Sequence, residues 1–123
     1  MKKNEHMRRM LIVDDEQDLC YFLAGMMDKN LDVHISHTLS DARQQLVEYK
    51  PDILFLDNNL PDGRGIDSIP YLRKQLPSTR IVMMTSDTTH DLEKKAKSYG
   101  ADYFIYKPFT RDMVKSIVSG IAS

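Results

Sequence analysis

Apolar residues gather along this chain in short runs set between longer amphipathic stretches. Runs at Met10–Val13, Val33–Ile35, Ile53–Leu56, Ile81–Met84 and Tyr103–Tyr106 predict five strands. Several are apolar without alternation, the pattern of strands covered on both faces, as parallel strands with crossover helices must be. The stretches between them carry helical spacing. Leu19, Phe22, Leu23, Met26 and Met27 recur at three and four after the first strand. Leu39, Ala42, Leu46 and Tyr49 do so after the second, with Thr38 or Ser40 as N-cap. A fourth helix places Leu92, Ala96 and Tyr99 inward and Glu93, Lys94, Lys95 and Lys97 outward, and ends at Gly100 as C-cap. The fifth buries Met113, Val114, Ile117, Val118 and Ile121. In the third, Pro70 interrupts the series Ile66, Ile69, Leu72, Leu76 and removes a backbone donor. A late start near Ser68, with Pro70 in the first turn, or a kink, is expected there.

Strand and helix alternate five times, and right-handed crossovers then put helices on both faces of one parallel sheet. The fold class is α/β, a flavodoxin-like (βα)5 doubly wound sheet of five strands. Without an internal repeat, low-complexity segment or linker, residues 1–123 are expected to form a single domain with its core at about 8–121.

Composition narrows the classes of partner. The 123 residues are 41% apolar, enough for one contiguous core. Lys and Arg number 17 against 18 Asp and Glu, so no global field draws the chain to nucleic acid or an acidic membrane. Cys20 is the only cysteine, which excludes an intrachain disulfide and reads as a small buried apolar residue. The basic start MKKNEHMRRM is not followed by the apolar stretch of a signal peptide, and no segment approaches the roughly 20 apolar residues of a membrane span. A soluble cytoplasmic protein, bound to neither membrane nor nucleic acid by this domain, is expected.

In an open α/β sheet, ligands bind beyond the carboxyl ends of the strands. Those ends are polar here: Asp14-Asp15-Glu16, Asp57-Asn58-Asn59, Thr85-Ser86-Asp87 and Lys107-Pro108. A nucleotide fold would place Gly, Ser or Thr after the first strand to cradle phosphate, whereas three acids would repel a free anion. A cation fits better. Asp14, Asp15 and Asp57 would repel one another unless compensated, and an all-oxygen donor set suits a hard ion such as Mg²⁺. Lys107 and Thr85 add a charge and a hydroxyl that can receive phosphoryl oxygens. Asp57 then becomes a candidate nucleophile toward an activated phosphoryl group, giving an aspartyl phosphate.

LIVDDE at 11–16, LDNNLPDGRG at 56–65, VMMTS at 82–86 and GADYFIYKPF at 100–109 stand in this order over nearly the whole chain. In them the sequence resembles the receiver domains of two-component response regulators. The resemblance implies that Asp57 is the phosphoacceptor, Asp15 a direct ligand of Mg²⁺ or Mn²⁺, and Asp14 a ligand acting mainly through water. The Asn59 carbonyl would complete the protein's share of the shell. It makes Thr85 the hydroxyl that bonds the phosphoryl group, Lys107 the lysine that pairs with it behind a cis Lys107-Pro108 bond, and Asn59 and Asp87 modulators of phosphoryl lifetime. The expected donor is a histidine kinase or histidine phosphotransfer protein. Output runs to an unnamed partner through the fourth helix, fifth strand and fifth helix, from a monomer or a phosphorylation-linked dimer. Three departures stand out. Phe104 occupies the aromatic switch position without a hydroxyl, Leu60 replaces the commoner methionine before Pro61, and Pro70 alters the third helix.

Two other functions compete. A haloacid dehalogenase-like phosphatase also uses a strand-end aspartate and Mg²⁺, but wants a second acid two residues on, where this chain has Asn59. A receiver-like scaffold that is never phosphorylated would not need the full set of acids, threonine and lysine. Asp14 and Glu16, taken singly, read as helix caps. His6, His34, His37 and His90 lack ligand-like spacing and read as ordinary residues, and the lysines at 94, 95 and 97 as a solvated face.

Overall fold

A computed structural model of the protein describes residues 8–89 and 91–122; His6 and His90 lie outside them. The chain runs β1 (Arg8–Val13), α1 (Gln17–Gly25), β2 (Leu31–Ser36), α2 (Leu39–Tyr49), β3 (Ile53–Asp57), β4 (Asn59–Leu60) and β5 (Gly63–Arg64). It continues with α3 (Gly65–Gln75), β6 (Arg80–Thr85), α4 (Leu92–Tyr99), β7 (Tyr103–Tyr106) and α5 (Arg111–Ala122). Five of the strands form one parallel sheet in the order β2-β1-β3-β6-β7. This is the doubly wound flavodoxin-like order, whose direction of winding reverses between β1 and β3.

Both sheet faces are buried, which is why the strands read as unbroken apolar runs. Leu11, Val13, Leu54, Leu56, Ile81 and Met83 pack under α2, α3 and α4. Met10, Ile12, Ile53, Phe55, Val82 and Met84 alternate with them and pack under α1 and α5. Cys20 is fully buried in the second layer, and burial pushes its thiol up to about 12, with the nearby Asp14 charge adding to the effect.

Helix ends follow local chemistry. Thr38 caps α2 by accepting from the Asp41 amide, and Asp62 reaches back to accept from the amides of Leu39 and Ser40 at 2.8 and 2.9 Å. Ser40 is inside the helix. Gly100 ends α4 at φ 122, where a side chain would be strained and would press on Arg73. The Arg73 guanidinium donates to the carbonyls of Thr79 (2.7 Å) and Gly100 (2.7 Å) and to Asp102 Oδ2 (2.7 Å), tying α3, α4 and the start of β7 together.

Several expectations need correction. The helix α3 starts at Gly65, not near Ser68, and carries Pro70 in its interior. Its start is set by Asn58, whose carbonyl and Oδ1 accept from the Gly65 and Ile66 amides at 3.0 Å each. Pro70 lies on the exposed face, but it takes the intrahelical donor from the carbonyl of the buried Ile66. Met113 is 45% exposed rather than buried, because Val114 and Ile117 turn toward the sheet and leave it a third of a turn off that face. Phe22 is likewise exposed beside the buried Leu23. The short antiparallel β4–β5 pair lies in a turn that the apolar pattern does not mark.

Candidate phosphoryl and cation site

The strand order brings the polar strand ends to one edge. Asp14 follows β1, Asp57 ends β3 beside Met84 of β6, and Thr85 ends β6 beside Tyr106, which precedes Lys107. Asp14 is fully buried and Asp57 is 2% exposed, while Asp15 is exposed. One carboxylate oxygen from each of the three lies within 4.8 Å of the others.

Lys107 compensates this cluster. Its Nζ donates to Asp14 Oδ2 at 2.7 Å and Glu16 Oε1 at 2.8 Å, and stands 3.0 Å from Asp57 Oδ1. Burial alone would lower the ammonium, but the bonds to Asp14, Glu16 and Asp57 outweigh it and hold the pKa above its ordinary value. Burial pushes Asp57 up to about 6 against the pull of Lys107, and the Asp14 charge adds to the rise. Asp14 also accepts from the Glu16 amide at 2.8 Å, and its backbone carbonyl lies 2.8 Å from His37 Nδ1.

Apart from the 3.0 Å ion pair with Lys107, the buried Asp57 Oδ1 has no hydrogen-bond donor among the described residues. Lys107 offsets part of the charge of the three clustered carboxylates, and the remainder is costly to hold together unless a further cation joins them. Three carboxylates, without histidine or cysteine among the clustered residues, form a donor set that fits a hard divalent ion.

The rest of the expected set borders this cluster. Thr85 is fully buried, its hydroxyl accepts from the Asp87 amide at 3.0 Å, and its carbonyl accepts from the Lys107 amide at 2.8 Å. The Lys107-Pro108 peptide is cis. Asn59 is exposed, and its backbone amide helps to lower Asp57. Asp87 is turned to Thr89, whose hydroxyl and amide hold its carboxyl below the ordinary value. Phe104 is half-buried against the α2–α4 layer, with its ring edge-on to Tyr106 at 5.0 Å.

Sequence reasoning passed over two residues. Glu16 occupies the N-cap position of α1 without a side-chain capping bond; it reaches Lys107 instead. Its place in an acidic triplet was the available signal. Asn58 sets the entry to α3, and Gly65 there packs so closely that a Cβ would lie 2.2 Å from the Asp57 carbonyl.

A family model described as the response regulator receiver domain matches residues 10–119. The chain belongs to that family. The response regulator protein PilR of Pseudomonas aeruginosa is 30% identical over 113 residues, 91% of this chain and 25% of PilR. The chain thus spans a quarter of that relative's length. The signal receiver domain of a LuxO repressor protein from Vibrio parahaemolyticus superposes with a TM-score of 0.88 at 27% identity, covering 94% of this chain and 90% of that one. The beryllofluoride-activated NtrC4 receiver domain dimer gives 0.87 at 26% identity, covering 94% and 96%. A receiver of two-component systems is a signalling domain rather than a conventional enzyme, and the dehalogenase-like alternative finds no support. Among the described residues, no helix is long and apolar enough to cross a membrane.

Proposed function

We propose that Asp57 is the phosphoacceptor of this receiver and takes its phosphoryl group from a histidine kinase or histidine phosphotransfer protein. The observation that carries this reading is the buried Asp57 carboxylate, clustered with Asp14 and Asp15 and paired in charge with Lys107. The carboxylate attacks phosphorus, the bond from phosphorus to the donor imidazole breaks, and its electron pair leaves on nitrogen. An acyl phosphate remains on Asp57. At pH 7 and above, a carboxyl with a pKa of about 6 is mostly ionised and ready to attack. The Lys107 ammonium and Thr85 hydroxyl receive the phosphoryl oxygens.

Asp15, Asp57 and the Asn59 carbonyl would hold Mg²⁺ or Mn²⁺ directly, with Asp14 acting mainly through water. Bound there, the ion neutralises charge on the transferring group. Water reverses the modification by attacking phosphorus, and Asn59 and Asp87 tune how soon. In this reading the domain catalyses its own phosphorylation and dephosphorylation.

Engagement of Thr85 by the phosphoryl group releases space for the half-buried Phe104 ring. The surface of α4, β7 and α5 then changes for an output partner. Association of two phosphorylated copies is the expected oligomeric response, supported by the relative whose activated receiver is a dimer. We place the domain in the cytoplasm, as a single receiver unit.

Incubation with Mg²⁺ and acetyl phosphate, followed by intact mass, tests the reading against Asp57→Asn. A phosphoryl adduct on the wild type, lost in the variant and without EDTA-resistant formation, is expected. Rapid turnover of unrelated phosphomonoesters would point to a phosphatase. Folded, cation-bound protein that stays unmodified would leave a scaffold.

A further inference from the structure

On the sheet face opposite α1 and α5, the helices α2 and α3 part around a cleft of about 400 Å³. That volume falls in the range of small-ligand sites, roughly 300–1,000 Å³. Leu39, Ala42, Leu46 and Leu72 form its apolar wall, closed below by the core residues Leu54 and Leu56. Tyr71, 54% exposed, stands at the lip and presents an aromatic ring to whatever enters.

The polar groups of the cleft are not balanced in their commitments. Both oxygens of Asp62 are engaged by the α2 amides, which, more than the nearby Arg43, hold its carboxyl below the ordinary value. Arg43 and Arg64 also line the cleft, and among the described residues neither guanidinium donates a hydrogen bond or forms an ion pair within 4.0 Å. Asp67 is the remaining acid, in the first turn of α3, where the helix dipole favours it. The cleft thus joins an apolar, aromatic wall to two available guanidinium forks, the groups best suited to bind a carboxylate, sulfonate or phosphate.

We propose that the α2–α3 cleft is a binding site for a small organic anion with an apolar or aromatic body, separate from the phosphoryl site. The anionic head lies between Arg43 and Arg64, and the body packs on Tyr71 and the Leu39–Leu46 wall. This assignment is independent of the role given to Asp57. The cleft and the acceptor pocket nevertheless share one segment. Asp62, Gly63 and Arg64 line the cleft, and Gly65 directly after them packs on the Asp57 carbonyl. An occupant therefore sits against the backbone that carries the phosphoacceptor.

The probe is 1-anilinonaphthalene-8-sulfonate, which combines an aromatic body with one anionic head. Its binding to the folded wild-type protein is followed by fluorescence titration and by amide chemical shifts. Shifts centred on Leu39, Arg43, Ser68 and Tyr71 are expected. The surface double variant Arg43→Gln/Arg64→Gln should bind about tenfold more weakly and Tyr71→Ala several-fold more weakly, with near-UV circular dichroism confirming that each remains folded. Sulfate alone should shift Arg43 and Arg64 only at far higher concentration, because it lacks the body. Unchanged affinity in both variants, or shifts confined to another face such as α1 or α4–β7, would overturn the assignment.

Discussion

Lys107 has three ammonium hydrogens and three carboxylates within 3.0 Å, from Asp14, Glu16 and Asp57. Two of these partners, Asp14 and Asp57, are buried and belong to the carboxylate cluster. The Glu16 side chain is 63% exposed and, among the described residues, has only the lysine as a side-chain partner. If Lys107 is to turn toward a phosphoryl group on Asp57, Glu16 is the contact that competes for it. Glu16→Ala should therefore speed phosphorylation by acetyl phosphate and lengthen the life of the product. An exposed ion pair contributes about 0.2–1 kcal/mol, so the change should be about 1.4- to five-fold. Glu16→Gln, which keeps an acceptor but loses the charge, should fall between. Time courses by intact mass check this, and identical rates in all three proteins would remove Glu16 from the reaction. Asp14, Asp15, Asp57, Thr85 and Lys107 were legible beforehand because each sits at the end of an apolar run. Glu16 was not, since an acid before a helix looks like a cap whether or not it caps.

At the scale of elements, the five sheet strands and five helices follow from apolar periodicity, and only their termini moved, the start of α3 most tellingly. The start of α3 moved because local rules met a tertiary one. Pro70 argues for a late helix, but Asn58 captures the Gly65 and Ile66 amides, and the buried Gly65, Ile66 and Ile69 hold that first turn under the sheet. Such a bond between a strand end and a helix eight residues on leaves no periodic trace. The proline then remains inside the helix at a local cost. Pro70→Ala restores a donor on an exposed face and should raise stability by about 1–2 kcal/mol, less than the full helix-interior difference of about 3 because proline also restricts the unfolded chain. Urea unfolding with an unchanged slope would measure it. A loss of stability would mean that the proline is accommodated without cost. The reach of the β4–β5 turn was hidden for a related reason: its Asp62 works on α2, more than twenty residues earlier in the chain.

For the whole molecule, the Asp57 pocket should make stability depend on pH and on cation. Asp57 has a pKa of about 6 in the fold against an ordinary value of 3.8. An acid raised in this way contributes stability that is complete below its unfolded value and lost as pH rises through the folded one. Metal-free protein should thus carry a charged, buried Asp57 at neutral pH, at a cost on the order of 2–3 kcal/mol. Asp57→Asn removes that charge while Lys107 keeps Asp14 and Glu16 as partners, so the variant should be more stable than wild type in EDTA. The gap should be small below about pH 4, more than half open by about pH 5, and level off above about pH 7. Comparison with the variant is needed because Asp62 and Asp87, both held below their ordinary values, bend the absolute profile the other way at acid pH. Mg²⁺ should then close the gap from the wild-type side, since an ion that binds only the fold stabilises it by about 2.7 kcal/mol at a hundred times its Kd. Thermal unfolding of both proteins across this pH range, with EDTA and with Mg²⁺, gives the four curves required. A gap that does not change with pH would show that Asp57 is not held uncomfortably charged, and one that Mg²⁺ leaves unaltered would place the ion elsewhere.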